Sequence, residues 1–154
     1  MKMPEIISTI AVAISVGALV FQWWQNRKAS ETAFKTNFLA CTSRYTQIQE
    51  LLLSNDELSG LSESIYAKIN VPGDRDTRIF HKELALCGMM FQLIEDVCIM
   101  HGLDKNSNRK KLSGWDGLFR GWMRSKIIRD NWGELKNHYN ENAQAYVGRL
   151  IGEK

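Results

Sequence analysis

The chain opens with an apolar run that carries no charged side chain between residues 6 and 21. Apolar character continues to Trp24, which makes about 20 residues available, the length that a helix needs to cross the hydrocarbon core of a bilayer. Trp23 and Trp24 end this run, and Arg27 and Lys28 follow directly. An aromatic belt with a positive flank is typical of the cytoplasmic end of a transmembrane helix.

We therefore predict a single-pass anchor over residues 1–28 in a bacterial inner membrane, with the N-terminus outside and the C-terminal domain in the cytoplasm. A cleaved signal peptide is disfavoured, because residues 22–25 after the apolar run are Gln-Trp-Trp-Gln rather than small. Thr9, Ala13 and Gly17 lie on one helix face, and small residues mark packing faces between helices in lipid. We expect the anchor to contact the lipid bilayer and to support a homo-oligomer, with a tetramer as one candidate.

From residue 29 onwards the apolar positions recur with helical periodicity, and no sustained alternation predicts a strand. The sequence therefore predicts an all-α protein, in which residues 29–154 form a cytoplasmic helical bundle. Two long apolar seams have the same spacing, and we expect their helices to pack as an antiparallel pair with a short helix at the turn. The first seam is Phe34, Phe38, Cys41, Tyr45, Ile48 and Leu52, and the second is Phe80, Leu84, Cys87, Phe91, Ile94 and Cys98.

Capping signals predict where the helices begin and end. Ser30 is the expected N-cap of the first soluble helix, and residues 54–57 form a Ser-x-x-Glu capping box for the short helix. The third helix is expected to begin at Asp74 or Asp76 and to end at Gly102, because glycine favours the C′ position. Three shorter helices are expected to follow, beginning near Ser113, Ser125 and Asn142.

Composition and motifs argue against several classes of protein. With 44% apolar and 24% charged residues and only two prolines, the chain is neither disordered nor collagen-like. It has no Gly-x-Ser-x-Gly, Walker or Gly-x-Gly-x-x-Gly motif, and its histidines are isolated. We therefore predict a protein with no enzyme activity, no catalytic residue, no metal site and no cofactor. The three cysteines are expected to be buried thiols in a reducing compartment: Cys41, Cys87 and Cys98.

Charge is segregated along the chain, although the net charge is only +3. Residues 104–129 hold eight basic and two acidic side chains, whereas residues 30–100 are net negative. Arg120 and Arg124 are four residues apart, so a helix would place them on one face as two forks for phosphate. The predicted ligand-binding residues are Arg109, Lys110 and Lys111 in a loop, Trp115 as a stacking ring, and Arg120 and Arg124.

Four interpretations of this basic segment remain open. Its target is the anionic leaflet above the anchor, a nucleotide or short nucleic acid, or an acidic partner protein, or the segment is a solvated face that balances the negative charge of residues 30–100. We expect no duplex DNA partner. A second, weaker anion site is predicted at a helix N-terminus, with Arg75, Arg78, His81 and Lys82.

Residues 114–132 read GWDGLFRGWMRSKIIRDNW, with basic residues between Trp115, Trp122 and Trp132. With an N-terminal anchor, this pattern resembles small single-pass bacterial membrane proteins that carry a cytoplasmic helical domain. In length and layout the chain also resembles the membrane-anchored effectors of type III CRISPR systems. That resemblance implies a cyclic oligoadenylate as ligand, a homo-oligomer, and signalling to the membrane segment in antiphage defence. The alternative is a non-enzymatic scaffold or accessory subunit that docks a partner protein.

Overall fold

The computed structural model describes residues 3–66, 76–105, 108 and 110–152, with side chains described from residue 14 onwards. Within these ranges the chain consists of α-helices, short 3-10 turns and connections, without a strand. The prediction of an all-α fold is therefore confirmed. The chain divides into two compact units, Met1–Phe38 and Leu39–Lys154. This division concerns compactness, so the predicted edge of the membrane anchor at residue 28 stays a prediction.

The first unit consists of the N-terminal part of helix α1, which runs without interruption from Met3 to Ser54. The prediction that Ser30 caps a separate helix is therefore wrong. No proline or glycine lies near Ser30, so nothing in the local sequence ends the helix there. Large apolar side chains on this part of α1 are exposed: Ile14, Val16, Leu19, Val20, Phe21, Trp23 and Trp24.

The second unit contains the C-terminal part of α1 and the remaining helices. Its helices after α1 are α2 (Ser59–Tyr66), α3 (Thr77–His101), α4 (Ser113–Trp122), α5 (Lys126–Leu135) and α6 (Glu141–Ile151). Short 3-10 turns cover Asp56–Leu58 and Lys136–His138. The starts of the three short helices agree with the predicted ones to within one residue.

Helix α3 is the centre of this unit and packs most extensively against α5 and α6. The predicted seam is buried from Cys87 to Cys98, whereas Phe80 near the start of α3 is exposed. The buried face is wider than that seam, since Met90, Leu93 and Val97 are also buried. A helix that is apolar on most sides is expected in the middle of a bundle.

Side-chain contacts show that α1 and α3 run antiparallel, as predicted. Arg44 on α1 is ion-paired with Asp96 near the end of α3. Ile48, which follows Arg44 on α1, lines the same groove as Met89, which precedes Asp96 on α3. Glu57, just after α1, is bonded to Lys82 near the start of α3. The first seam is buried only from Cys41 onwards, at Cys41, Ile48 and Leu52.

The capping predictions are confirmed in part. Asn55, rather than Ser54, caps the turn before α2, and its Oδ1 accepts a hydrogen bond from the Glu57 amide at 3.2 Å. Asp76 caps α3 as predicted, through its Oδ1 and the Arg78 amide at 3.0 Å. Gly102 ends α3 with φ of 65°, a left-handed conformation that favours glycine.

One described helix, α3, is long and apolar enough to cross a membrane by length and composition. However, 56% of its most apolar window is buried inside the unit, as in the core helix of a soluble domain. Helix α3 is not the segment that the sequence predicts as the anchor. The side chains of residues 1–13 lie outside the described ones, so the anchor over residues 1–28 stays a prediction.

Candidate anionic-ligand surface

The predicted ligand-binding residues lie on the connection after α3, on α4, and on the turn between α4 and α5. Lys110 and Lys111 are exposed on the connection, just before α4. Lys105, which belongs to the same basic segment, is exposed as well. Arg109 lies outside the described residues, so its predicted role stays a prediction.

Arg120 and Arg124 do not share a helix face, so that prediction is wrong. Helix α4 ends at Trp122, and Arg124 lies in the turn that follows. The helix stops there because Ser125 adopts an extended conformation and caps α5, its Oγ accepting a hydrogen bond from the amide three residues on. Arg129 reinforces this turn, since its Nη1 donates to the Arg124 carbonyl at 2.8 Å.

Trp115 is a core residue in this structure, and its position does not support the predicted stacking role. Only 8% of its surface is exposed. Its ring meets the Tyr45 ring edge-on at 6.2 Å between centroids and lies 5.6 Å from the Phe119 ring. Stacking on a ligand would therefore require Trp115 to leave an aromatic cluster that it helps to build.

Two further cations of the basic segment have partners within the chain. Lys126 is ion-paired with Asp130 at 2.7 Å, one turn along α5. Arg129 donates to backbone carbonyls, as described above. In the described part of the chain, four exposed cations of the segment have neither an ion pair nor a side-chain hydrogen bond. We call them the exposed basic set: Lys105, Lys110, Lys111 and Arg124.

Arg120 belongs to a different arrangement, which is centred on the buried Tyr146 of α6. The Tyr146 hydroxyl donates to Asp116 Oδ1 at 2.9 Å, and Asp116 Oδ2 accepts from Arg120 Nε at 2.7 Å. Arg149 lies over the Tyr146 ring, with its Cζ 5.9 Å from the centroid. Arg149 Nη2 also donates to the Asp104 carbonyl at 3.0 Å, next to Lys105. We call Asp116, Arg120, Tyr146 and Arg149 the Tyr146 cluster.

Burial and neighbouring charges keep two groups of this cluster protonated, the Tyr146 hydroxyl and the Arg120 guanidinium. Burial raises the pKa of Tyr146, and its hydrogen bond to Asp116 raises it further, so the hydroxyl stays a donor at neutral pH. The hydrogen bond to Asp116 likewise raises the pKa of Arg120, which stays cationic. The cluster therefore presents the cationic Arg120 beside one carboxylate, with Arg149 over the Tyr146 ring.

Asp116, Tyr146 and Arg149 are not among the ligand-binding residues predicted from the sequence. The four-residue spacing of Asp116 and Arg120 on α4 is a local signal that was available, since such pairs meet on a helix. Tyr146 lies on the buried face of α6, and its place in the sequence gives no separate signal of a polar role. Arg149 lies 45 residues from the carbonyl that it binds, so only the tertiary fold brings it to this surface.

The weaker anion site predicted at the start of α3 is largely neutralised. Arg78 is ion-paired with Glu57 at 2.8 Å, and Lys82 is bonded to the same carboxylate. The hydrogen bond from Lys82 holds the pKa of Glu57 below its ordinary value. Arg75 lies outside the described residues, and His81 is exposed.

The described residues contain no group of three His, Cys, Asp or Glu side chains arranged to hold a metal ion. Cys41, Cys87 and Cys98 form no disulfide and are buried, so the prediction that they are core thiols is confirmed. Glu95 and Asp96 have structural roles. Glu95 Oε1 accepts from the Asn140 amide at 2.7 Å, and Asp96 pairs with an arginine of α1.

The fold and the surface together define an all-α protein with exposed cations at one connection and one turn. No protein-family model, no curated protein and no solved structure matches the chain. The resemblance to membrane-anchored CRISPR effectors therefore stays a hypothesis.

Proposed function

We propose that this chain is a membrane-anchored, non-enzymatic sensor or effector. Its helical domain binds an anionic nucleotide of the cyclic oligoadenylate class in the cytoplasm. Binding signals to the membrane segment in antiphage defence. The ligand class and the pathway come from the resemblance described above, whereas the mode of binding is argued from the residues.

The observation that carries this proposal is the exposed basic set. Lys105, Lys110, Lys111 and Arg124 are exposed, and no acidic side chain of the described residues pairs with them. Several other cations of the described residues, such as Arg44 and Lys82, are matched by carboxylates. Cations that are not neutralised internally are available to a phosphate-bearing ligand.

The proposed anchor is supported by the described part of α1 between residues 14 and 24. Its exposed apolar side chains point in most directions around the helix axis, so no single face of a protein partner covers them. Exposed apolar surface of this kind is typical of a segment that lies in lipid. Lys28 Nζ lies 3.9 Å from the centroid of the Trp24 ring, and Arg27 lies over Trp23 at 5.8 Å. Amphipathic aromatic–cation pairs suit the headgroup level of a bilayer.

A homo-oligomer is consistent with both the proposed anchor and the proposed cyclic ligand. Around Gly17, an added Cβ would have no neighbour within 4 Å in the single chain, so the helix surface there is open to a second helix. A cyclic oligonucleotide has rotational symmetry, and copies of one chain around the same axis would each meet one phosphate. Each contact of one copy is then repeated by the others.

Titration of the full chain in detergent with labelled cyclic oligoadenylates of several ring sizes tests the proposal. We expect one ring size to bind, and affinity to fall about tenfold or more in the double variant Lys110→Ala/Lys111→Ala. Lys35→Ala is the control, because Lys35 is an exposed lysine on α1 outside the basic segment. Failure of every ring size to bind below about 100 μM would remove the sensor function.

A scaffold that docks a partner protein is the second candidate, and one observation favours it. The outer side of α3 exposes Met89, Ile99 and Met100, with 63% of Ile99 accessible. Apolar side chains on a helix that is otherwise the core are typical of a docking face. If no nucleotide binds and Ile99→Glu releases a protein that co-purifies from native membranes, the scaffold function is favoured instead.

A further inference from the structure

The Tyr146 cluster links the core of the domain to a surface arginine through two consecutive hydrogen bonds. Tyr146 is fully buried, whereas half of the Arg120 side chain is exposed. Arg120 is held through Nε by Asp116, and Asp116 is held in turn by the Tyr146 hydroxyl. In the described part of the chain, the two terminal nitrogens of Arg120 have no hydrogen-bond partner.

We infer that Asp116 and Tyr146 are positioning residues, which hold Arg120 so that its terminal nitrogens bind a phosphodiester oxygen of the ligand. Arg149 supplies the second cation of the same anion site. This inference rests on the proposed function, and it adds a defined site to it. The ligand class is a phosphate ester, because the free end of a guanidinium forms a planar fork that matches two phosphate oxygens.

An exposed arginine has many rotamers, and ordering it during binding costs free energy. The hydrogen bond at Nε fixes the plane of the Arg120 guanidinium before any ligand arrives. Asp116 is itself mostly buried, with 16% of its side chain exposed, and its two oxygens have different partners. The carboxylate is therefore a rigid support rather than a mobile surface acid.

Arg149 contacts the same tyrosine in a different way, because its guanidinium lies over the face of the Tyr146 ring. Its Nη2 donates to the Asp104 carbonyl, so it also ties the connection that carries Lys105 to α6. Two arginines are thereby linked to one buried side chain, and one of them also binds the connection that carries Lys105. Arg124 has no such link, since its contacts belong to the turn before α5.

Positioning and simple charge attraction predict opposite effects for Asp116→Asn. Removal of a negative charge beside Arg120 strengthens anion binding if only the total charge matters. If Asp116 positions Arg120, the same variant weakens binding, because an asparagine gives a weaker hydrogen bond to Nε and the guanidinium becomes mobile. The chain offers a matched control in Asp130→Asn, which removes the partner of Lys126 in another pair of the same spacing.

The test is equilibrium binding of labelled cyclic oligoadenylates to the full chain in detergent, with far-UV circular dichroism to show that each variant is folded. We expect Asp116→Asn to weaken binding about tenfold and Tyr146→Phe about threefold to tenfold. Asp130→Asn is expected to leave affinity unchanged or to raise it slightly. In a double-mutant cycle, Tyr146→Phe should lower affinity no further once Arg120 is replaced by alanine. If Tyr146→Phe instead disturbed the structure in general, the double variant would lose more affinity than Arg120→Ala alone.

Three results would contradict the inference in distinguishable ways. If no ring size binds the wild-type chain, the proposed function and this site fall together. If the ligand binds but Asp116→Asn binds equally or more tightly, the proposed function stands and the positioning role is overturned. If Arg149→Gln leaves affinity unchanged while Arg120→Ala lowers it, Arg149 is not part of the site.

Discussion

Two adjacent leucines near the end of α1 provide a matched test of how this helix meets the core. Leu52 is 3% exposed and Leu53 is 74% exposed, although they are neighbours on one helix. We expect Leu52→Ala to destabilise the domain strongly and Leu53→Ala to have little effect. Leucine and alanine have similar helix propensities, so the difference between the variants isolates burial.

The expected magnitude follows from the packing. Replacing a fully buried leucine by alanine costs about 2–5 kcal/mol, which includes the lost transfer free energy and the cavity left behind. An exposed substitution such as Leu53→Ala is expected to change stability by no more than about 0.5 kcal/mol. For a domain of this size, 1 kcal/mol shifts the midpoint of thermal unfolding by about 3–6 °C. The midpoint of Leu52→Ala should therefore fall by at least about 6 °C.

The assay is thermal unfolding of the full chain in detergent, followed by the fluorescence of the buried tryptophans of the second unit. Wild type, Leu52→Ala and Leu53→Ala are compared at one protein concentration, because an oligomer makes the midpoint depend on concentration. Equal shifts for the two variants, or a larger shift for Leu53→Ala, would show that α1 presents a different face to the core and would refute the burial of Leu52.

Three further predictions concern the acid range, the end of α3 and the anchor. The pKa of Glu57 is held below its ordinary value of 4.5, so its stabilising contribution is present above that pH and is lost as pH falls through the lowered pKa. The thermal midpoint should therefore drop on acidification below about pH 5, and less steeply in Glu57→Gln. Gly102→Ala should destabilise the domain by about 1–2 kcal/mol in denaturant titrations, because φ is 65° at this position; no loss would contradict the left-handed cap. Gly17→Leu combined with Ala13→Leu should lower the oligomer mass measured in detergent, whereas an unchanged mass would mean that the second unit alone holds the assembly.

The helical fold could be predicted from the sequence more fully than the ligand surface could. Helix periodicity is a local signal, so the all-α class, the Asp76 cap and the Gly102 end follow from residues close in the chain. The cap predicted at Ser30 failed because helix propagation costs little once a helix exists, and an isolated serine does not stop it. The exposure of Phe80 could not be read from its seam, because its neighbours on that face depend on the tertiary fold.

The predicted ligand-binding residues also depend on tertiary contacts that a local sequence pattern does not show. Spacing alone placed Arg120 and Arg124 on one face, but the cap at Ser125 ends the helix between them. Trp115 is close to the basic loop in the sequence, whereas in the structure it packs against Tyr45 of α1. The role of Arg149 depends on contact with a distant carbonyl. Charge content was therefore visible in the sequence, whereas the pairing of those charges required the structure.

The central claim is that an anchored chain binds an anionic nucleotide through its exposed cations. The most direct measurement is flotation of lipid vesicles that carry the full chain. The vesicles are first washed with alkaline carbonate and returned to neutral pH, because lysine loses its charge at high pH. They are then incubated with a labelled cyclic oligoadenylate and centrifuged through a density gradient. We predict that protein and label float together, and that Lys110→Glu/Lys111→Glu leaves the protein floating without label. Protein that stays at the bottom would contradict the anchor, and floating protein that carries no label at any ring size would contradict the ligand.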